Sequence, residues 1–177
     1  MMWEGLQALP FVLETKVIVL EHKPRAISVR ALSLFAARAR RALGLTGEVN
    51  VRVTSNRELQ KLNRRFRRKD KPTDVLSFPS AVPGLAGDIA ISVEIAAANA
   101  ADLDHSTDTE VKILILHGLL HLAGYDHETD DGNMQAWETE LRRQLGLPYG
   151  LIERTRGRGA RQATKHPASR KHQGGQK

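Results

Sequence analysis

The chain has 177 residues and a mass of 19.6 kDa, the size of one ordinary domain with at most an appendage. Apolar residues make up 41 % of it and aromatics only 5 %, so it can build a largely aliphatic core, which excludes a disordered protein. With no cysteine, disulfides, thiolate metal sites and a cysteine nucleophile are excluded, and the net charge of +7 points to polyanionic partners once its location is known.

That location is the C-terminus. From Arg154 to Lys177 there are eight Lys or Arg and no acid, which leaves residues 1–153 close to neutral. The chain therefore divides into a body, 1–153, and a basic tail, 154–177, with almost nothing large and apolar to bury. Such a tail is expected to be disordered, serving as a solubilising extension or as an arm for polyanions. The start, Met1-Met2-Trp3-Glu4, lacks the positive residues of a signal peptide, and the longest aliphatic run, Ile113 to Leu116, is far too short for a bilayer. A soluble cytoplasmic protein is the expectation.

Along the body, Thr15 to Leu20 is β-branched enough for a first strand. Ser28 caps a helix running to about Leu43, with Leu32, Phe35, Ala36, Ala39 and Leu43 inward and Gly44 as its stop. Val49, Val51 and Val53 alternate with polar residues and predict a half-buried strand. Ser55-Asn56-Arg57-Glu58 is a capping box opening a helix buried through Leu59, Leu62 and Phe66. After a basic run, Asp74–Phe78 and Gly87–Ser92 read as strands separated by a turn-rich stretch. An alanine-rich helix covers about Val93 to Leu103. A second capping box, Thr107 to Glu110, opens the next helix, and a last one runs from about Asp131 to Leu145 with Met134, Trp137, Leu141 and Leu145 inward. This order predicts an α+β fold, a small mixed β-sheet packed against several helices, with neither barrel nor sandwich.

The chemistry gathers in His117-Gly118-Leu119-Leu120-His121-Leu122-Ala123-Gly124-Tyr125-Asp126-His127, which holds three of the seven histidines. His117 and His121 are four apart on a helix, so their Cβ atoms stack about 6 Å apart, close enough for two imidazoles to share one metal at bonds of about 2.1 Å. Gly124 supplies a left-handed turn that ends the helix and brings His127 back to the same point. Three neutral nitrogens leave a fourth position open, as in catalytic zinc sites. A lone pair of this kind would be read as interior histidines satisfied by hydrogen bonds; the third histidine and the glycine at the reversal favour a single zinc ion. The spacing also matches the metzincin pattern H-E-x-x-H-x-x-G-x-x-H, except that Gly118 stands where those proteases carry the glutamate that takes the proton from water. This argues directly against peptide hydrolysis by that route.

These eleven residues resemble the signature H-G-x-L-H-L-x-G-Y-D-H of the YbeY family of single-strand-specific metallo-endoribonucleases. Arg67 to Pro79 is similar to that family's R-G-K-D-x-P-T-[DN]-V-L-S-F-P segment, and Gly87 to Ser92 to its G-D-I-x-I-S strand. The blocks keep the family's order from about Leu62 to Trp137. Arg68 departs from the pattern, standing where the family usually has glycine, and the tail has no counterpart in the family's compact core. The resemblance implies an α+β fold and a zinc held by His117, His121 and His127. It further implies single-stranded RNA, ribosomal RNA and ribosomal subunits as partners, with no membrane and no nucleotide cofactor, and a role in maturing the 3′ end of 16S rRNA and in ribosome quality control. It makes Arg67 the functional arginine of a groove near the metal.

A guanidinium matches phosphate oxygens with its planar fork, so Arg67 is expected to offset charge on the phosphoryl group. Arg64, Arg65, Arg68 and Lys69 are expected to position the RNA backbone, though a solvated helix end explains the same run. Asp126 either orients an imidazole from behind or stabilises the turn. Asp130 and Asp131 suit a helix start, while Ser77 and Asp88 either line the groove or make strand hydrogen bonds. His105 lies outside the ligand spacing, and Tyr125 either packs or stacks on a base. The residues name no general base and leave open whether water or the RNA 2′-hydroxyl attacks. Two rival readings remain: a zinc hydrolase of peptides or small molecules, and a non-catalytic ribosome-binding factor whose metal pins two helices.

Overall fold

In a computed structural model, which describes residues 16–19, 27–126 and 132–148, the three alternating valines decide the centre of the sheet. Strand β2 (Glu48–Thr54) buries Val49, Val51 and Val53 on one face and is paired in parallel on both sides. One neighbour is β1 (Lys16–Val19) and the other is β4 (Leu85–Ser92). Strand β3 (Val75–Pro79) adds to β4 antiparallel, which gives the order β1-β2-β4-β3. The sheet is thus four-stranded and mixed, as the chain order predicts, with β1 and β3 as its two edges. The loop between β3 and β4 is closed by the backbone bonds Ser80 N–H to Ala86 O and Leu85 N–H to Val82 O, both 3.1 Å.

Alternation along the strands sorts the helices by face. Helix α1 (Val29–Ala42), capped by the Ser28 hydroxyl accepting from Ala31 N–H, and helix α4 (Thr107–Leu122) share the main core. That core contains Val49, Val51, Val53, Ile89 and Ile91. Helix α2 (Asn56–Arg67) lies on the opposite face, where Leu59 meets Leu76 and Ala90 in a smaller cluster. Helix α3 (Val93–Asp102) packs beside α4, and α5 (Asn133–Leu145) packs against α4 and α1.

Three sequence expectations shift. The cap of α4 is Ser106, not Thr107: its hydroxyl accepts from Thr109 N–H at 3.1 Å. That frees Glu110 to turn inward, fully buried, where its carboxylate bonds His105 Nε2 at 2.7 Å. Phe66, expected inward, is 57 % exposed, because α2 overruns the short apolar strip beneath it and buries Asn63 in its place. Trp137 is likewise half-exposed; the buried stripe of α5 passes through Met134, Glu138, Leu141 and Arg142. Asp130, Asp131, His127 and the tail 154–177 lie outside the described residues.

Candidate metal centre

Close approach of α4 to the sheet is set by Gly118. A Cβ there would sit 2.9 Å from two carbons of Ile89 and 3.1 Å from Ser77 Oγ. The Ser77 hydroxyl donates to the Gly118 carbonyl at 3.2 Å. Ser77 is thus engaged in docking α4 onto β3. Position 118 faces packed sheet, so a protease-type glutamate could not occupy it without displacing Ile89. This geometry gives a packing reason for the glycine that the metzincin comparison singled out.

With Gly118 turned to the sheet, the helical twist carries His117 and His121 onto a different side of α4. Their ring centroids are 4.8 Å apart at 84°, and their Nε2 atoms face one another at 3.2 Å. Each ring is anchored through its other nitrogen. His117 Nδ1 lies 3.0 Å from Glu138 Oε2, and His121 Nδ1 lies 3.0 Å from the Tyr125 carbonyl. A carboxylate and a carbonyl only accept, so this network assigns the ring proton to Nδ1 in both residues. Both Nε2 atoms then present lone pairs toward a common point. Two lone pairs at that distance repel unless a cation lies between them, and the residues present therefore fit a divalent metal.

The turn that holds His121 follows from Gly124. Its φ of +91° is costly for any residue with a Cβ. Gly124 N–H donates to His121 O and Tyr125 N–H to Leu120 O, at 3.0 and 3.1 Å. This is a Schellman motif, and it swings the Tyr125 carbonyl back beneath the His121 ring. Tyr125 itself is half-buried against the core, 6.3 Å from Trp137 ring to ring, so its side chain packs. Asp126 follows it and is half-buried. His127, the expected third ligand, lies outside the described residues, and among the described residues no third histidine or carboxylate completes a ligand group.

Glu138 and Arg142 are the residues that the sequence reading missed. Glu138 is 1 % exposed, and its second oxygen accepts from Arg142 Nε at 2.9 Å and is ion-paired with Nη2 at 2.7 Å. Arg142, equally buried, also donates to the Pro148 carbonyl at 2.7 Å. The carboxylate is thus locked from behind while it orients the His117 ring. A signal was present: Glu138 falls on the same helical stripe as Met134, Leu141 and Leu145, and an acid on an apolar stripe four residues before an arginine marks a buried pair.

The basic run lies on the last turn of α2 and the loop after it. Arg67 is the last residue of α2 and is exposed, as are Arg64, Arg65, Arg68 and Lys69. Arg64, Arg65 and Arg67 stand in the last turn, where the helix dipole favours them. Helices α2 and α4 lie on opposite faces of the sheet, with β3 paired only to β4 between them. Arg68, the departure from the glycine pattern, adopts a left-handed conformation (φ +57°) nonetheless. Asn63 braces the loop it begins. The Asn63 carbonyl accepts from Arg68 N–H and Lys69 N–H, and its side chain donates to Lys71 O at 2.8 Å. Asp88 accepts from Asn50 at 2.9 Å on the α2 face, away from the histidines. His105 is paired with Glu110 at the start of α4.

Among the described residues, no helix is long and apolar enough to cross a membrane. The family model described as Endoribonuclease YbeY matches residues 14–146. The Endoribonuclease YbeY of Koribacter versatilis (strain Ellin345) is 61 % identical over 139 residues, covering 78 % of this chain and 91 % of that protein. That of Solibacter usitatus (strain Ellin6076) is 45 % identical over 141 residues, covering 80 % and 95 %. The solution structure of TM1509 from Thermotoga maritima superposes with a TM-score of 0.53 at 27 % identity, over 87 % of this chain and 99 % of that one. A family match spanning most of the α+β body, histidine pair and basic loop included, leads to one conclusion: the chain belongs to the endoribonuclease YbeY family.

Proposed function

We propose that this protein is a zinc-dependent endoribonuclease of single-stranded RNA, acting on the 3′ end of 16S rRNA and in late ribosome quality control. The observation that carries the metal is the facing pair of Nε2 atoms, 3.2 Å apart, each ring's Nδ1 held by an acceptor. His117, His121 and His127 would hold the ion. Zinc bound there supplies Lewis acidity toward a phosphoryl oxygen and lowers the pKa of water toward about 7.

The chain's own residues do the rest. Glu138 and the Tyr125 carbonyl keep both imidazoles in the ligating tautomer, so no reorganisation precedes substrate binding. Arg67 offsets charge developing on the phosphoryl group, and its fork suits two phosphate oxygens at once. Arg64, Arg65, Arg68 and Lys69 fix the strand through its phosphates without reading sequence. Asp126 supports the ligand turn. An RNA substrate is supported by the endoribonuclease family; ribosomal RNA within subunits is the substrate this reading assigns, with no membrane or nucleotide cofactor.

The test compares wild type with His121→Ala, Arg67→Ala and Arg67→Lys on structured and unstructured RNA, with zinc content measured on every sample. His121→Ala should lose zinc and cleavage together. Arg67→Lys should keep zinc and lose cleavage, by roughly the 10²–10³-fold typical of a displaced electrostatic donor. Undiminished cutting after complete chelation would overturn the reading, and equal activity of Arg67→Lys would remove Arg67 from the chemistry.

A further inference from the structure

Two of the chain's four phenylalanines meet on the α2 face of the sheet, away from the histidine pair. Phe66, in the last turn of α2, is 57 % exposed in a protein with few aromatics to spare. Its ring is not loose. Phe78 of the edge strand holds it edge-on at 5.0 Å and 62°, and the Arg65 guanidinium lies 5.3 Å from its centroid. Its neighbours along the chain are the exposed cations Arg64, Arg65, Arg68 and Lys69, the last two on the loop that buried Asn63 clamps.

An exposed ring costs free energy unless something covers it, and the surrounding charge selects what can. A rigid aromatic face amid phosphate-binding cations is the arrangement that stacks an unpaired base while its neighbouring phosphates are neutralised. We propose that Phe66 is a stacking platform for one unpaired nucleobase of a single-stranded RNA. It would anchor the strand on the far face of the sheet while the strand crosses the β3 edge toward the histidines. Preference for single strands then has a physical source, because a paired base is already stacked and must be extracted first. The inference rests on the RNA reading above and adds to it a named subsite at a fixed offset from the cut.

The test measures binding of fluorescent single-stranded oligonucleotides carrying one abasic position moved stepwise along the strand. Wild type should lose affinity at one offset, by about five- to 150-fold. Phe66→Leu, which keeps apolar contact with Phe78 but offers no π-face, should lose the same factor on intact RNA and nothing further at that offset. Phe66→Tyr should behave as wild type. The salt dependence of Phe66→Leu should be unchanged, since no phosphate contact is removed. Unchanged affinity of Phe66→Leu, or losses from Phe66→Leu and the abasic position that simply add, would overturn the platform while leaving the nuclease reading intact. Wild type failing to bind any single-stranded RNA would overturn both.

Discussion

Replacing Glu138 by glutamine changes one oxygen to an NH2 group and leaves volume almost untouched. The carboxylate now accepts on both sides, from His117 Nδ1 at 3.0 Å and from Arg142 Nε at 2.9 Å, with Arg142 Nη2 ion-paired at 2.7 Å. An amide has one accepting oxygen. If it faces Arg142, the NH2 group confronts His117 Nδ1 and drives the ring proton onto Nε2, the atom proposed to hold the metal. If it faces His117, two donors collide and Arg142 stays buried with less compensation. Hydrogen bonds to charged groups are worth about 1.5–3 kcal/mol each, and breaking a buried pair costs about 3–5 kcal/mol, so a loss of about 2–4 kcal/mol is expected. Disturbing such a partner also weakens metal affinity by about 10–100-fold, which removes about 1.4–2.7 kcal/mol of zinc-linked stabilisation at saturation. Urea unfolding with and without zinc, together with competition against a chelator, reads both effects. The double variant Glu138→Gln/Arg142→Met separates them: deleting the stranded guanidinium should restore stability without restoring zinc affinity. A Glu138→Gln protein with wild-type midpoint and wild-type zinc affinity would refute the reasoning.

Gly118→Ala should destabilise by about 1–2 kcal/mol net, since overpacking against Ile89 costs about 1–3 kcal/mol and better helix propensity returns up to about 1 kcal/mol; a stabilised variant in urea unfolding would contradict the close approach. Arg68→Gly should raise stability by about 0.5–1 kcal/mol by relieving the left-handed residue, and should lower the salt slope of RNA binding by about 0.7 if that side chain meets a phosphate. The Glu140 carboxyl is pulled down from 4.5 to about 2, first by its hydrogen bond from Arg143 and then by that from Gln144. A depressed carboxyl contributes above its unfolded pKa and loses that contribution as pH falls through the folded one. The helix-end support it gives α5 should therefore fade between pH 4.5 and about 2, and Glu140→Gln should flatten thermal stability against pH across that window. His105→Ala should destabilise by about 2–4 kcal/mol, because Glu110 is fully buried and loses a 2.7 Å partner; an unchanged melting temperature would remove that pair from the core's support.

Much of the protein was legible in one dimension because the signals are local. Alternation placed Val49, Val51 and Val53 on one face, serine hydroxyls marked helix starts, and a four-residue spacing put His117 and His121 on one side of α4 with Gly124 at its end. Such patterns follow from the periods of strand and helix, which any stretch of chain obeys by itself. What the sequence left undecided depends on partners far along the chain. The apolar stripe of α5 marks Glu138 and Arg142 as a buried pair, but only the docking of α5 on α4 brings Glu138 against a histidine 21 residues earlier. Gly118 looks like a missing general base until the sheet shows that a side chain there must displace Ile89. Phe66 fits the apolar stripe of α2, yet the strip beneath is too short to cover it, so tertiary packing turned an expected core residue into surface. Periodicity says which residues share a face; only the neighbouring elements decide how far that face is covered, and by what.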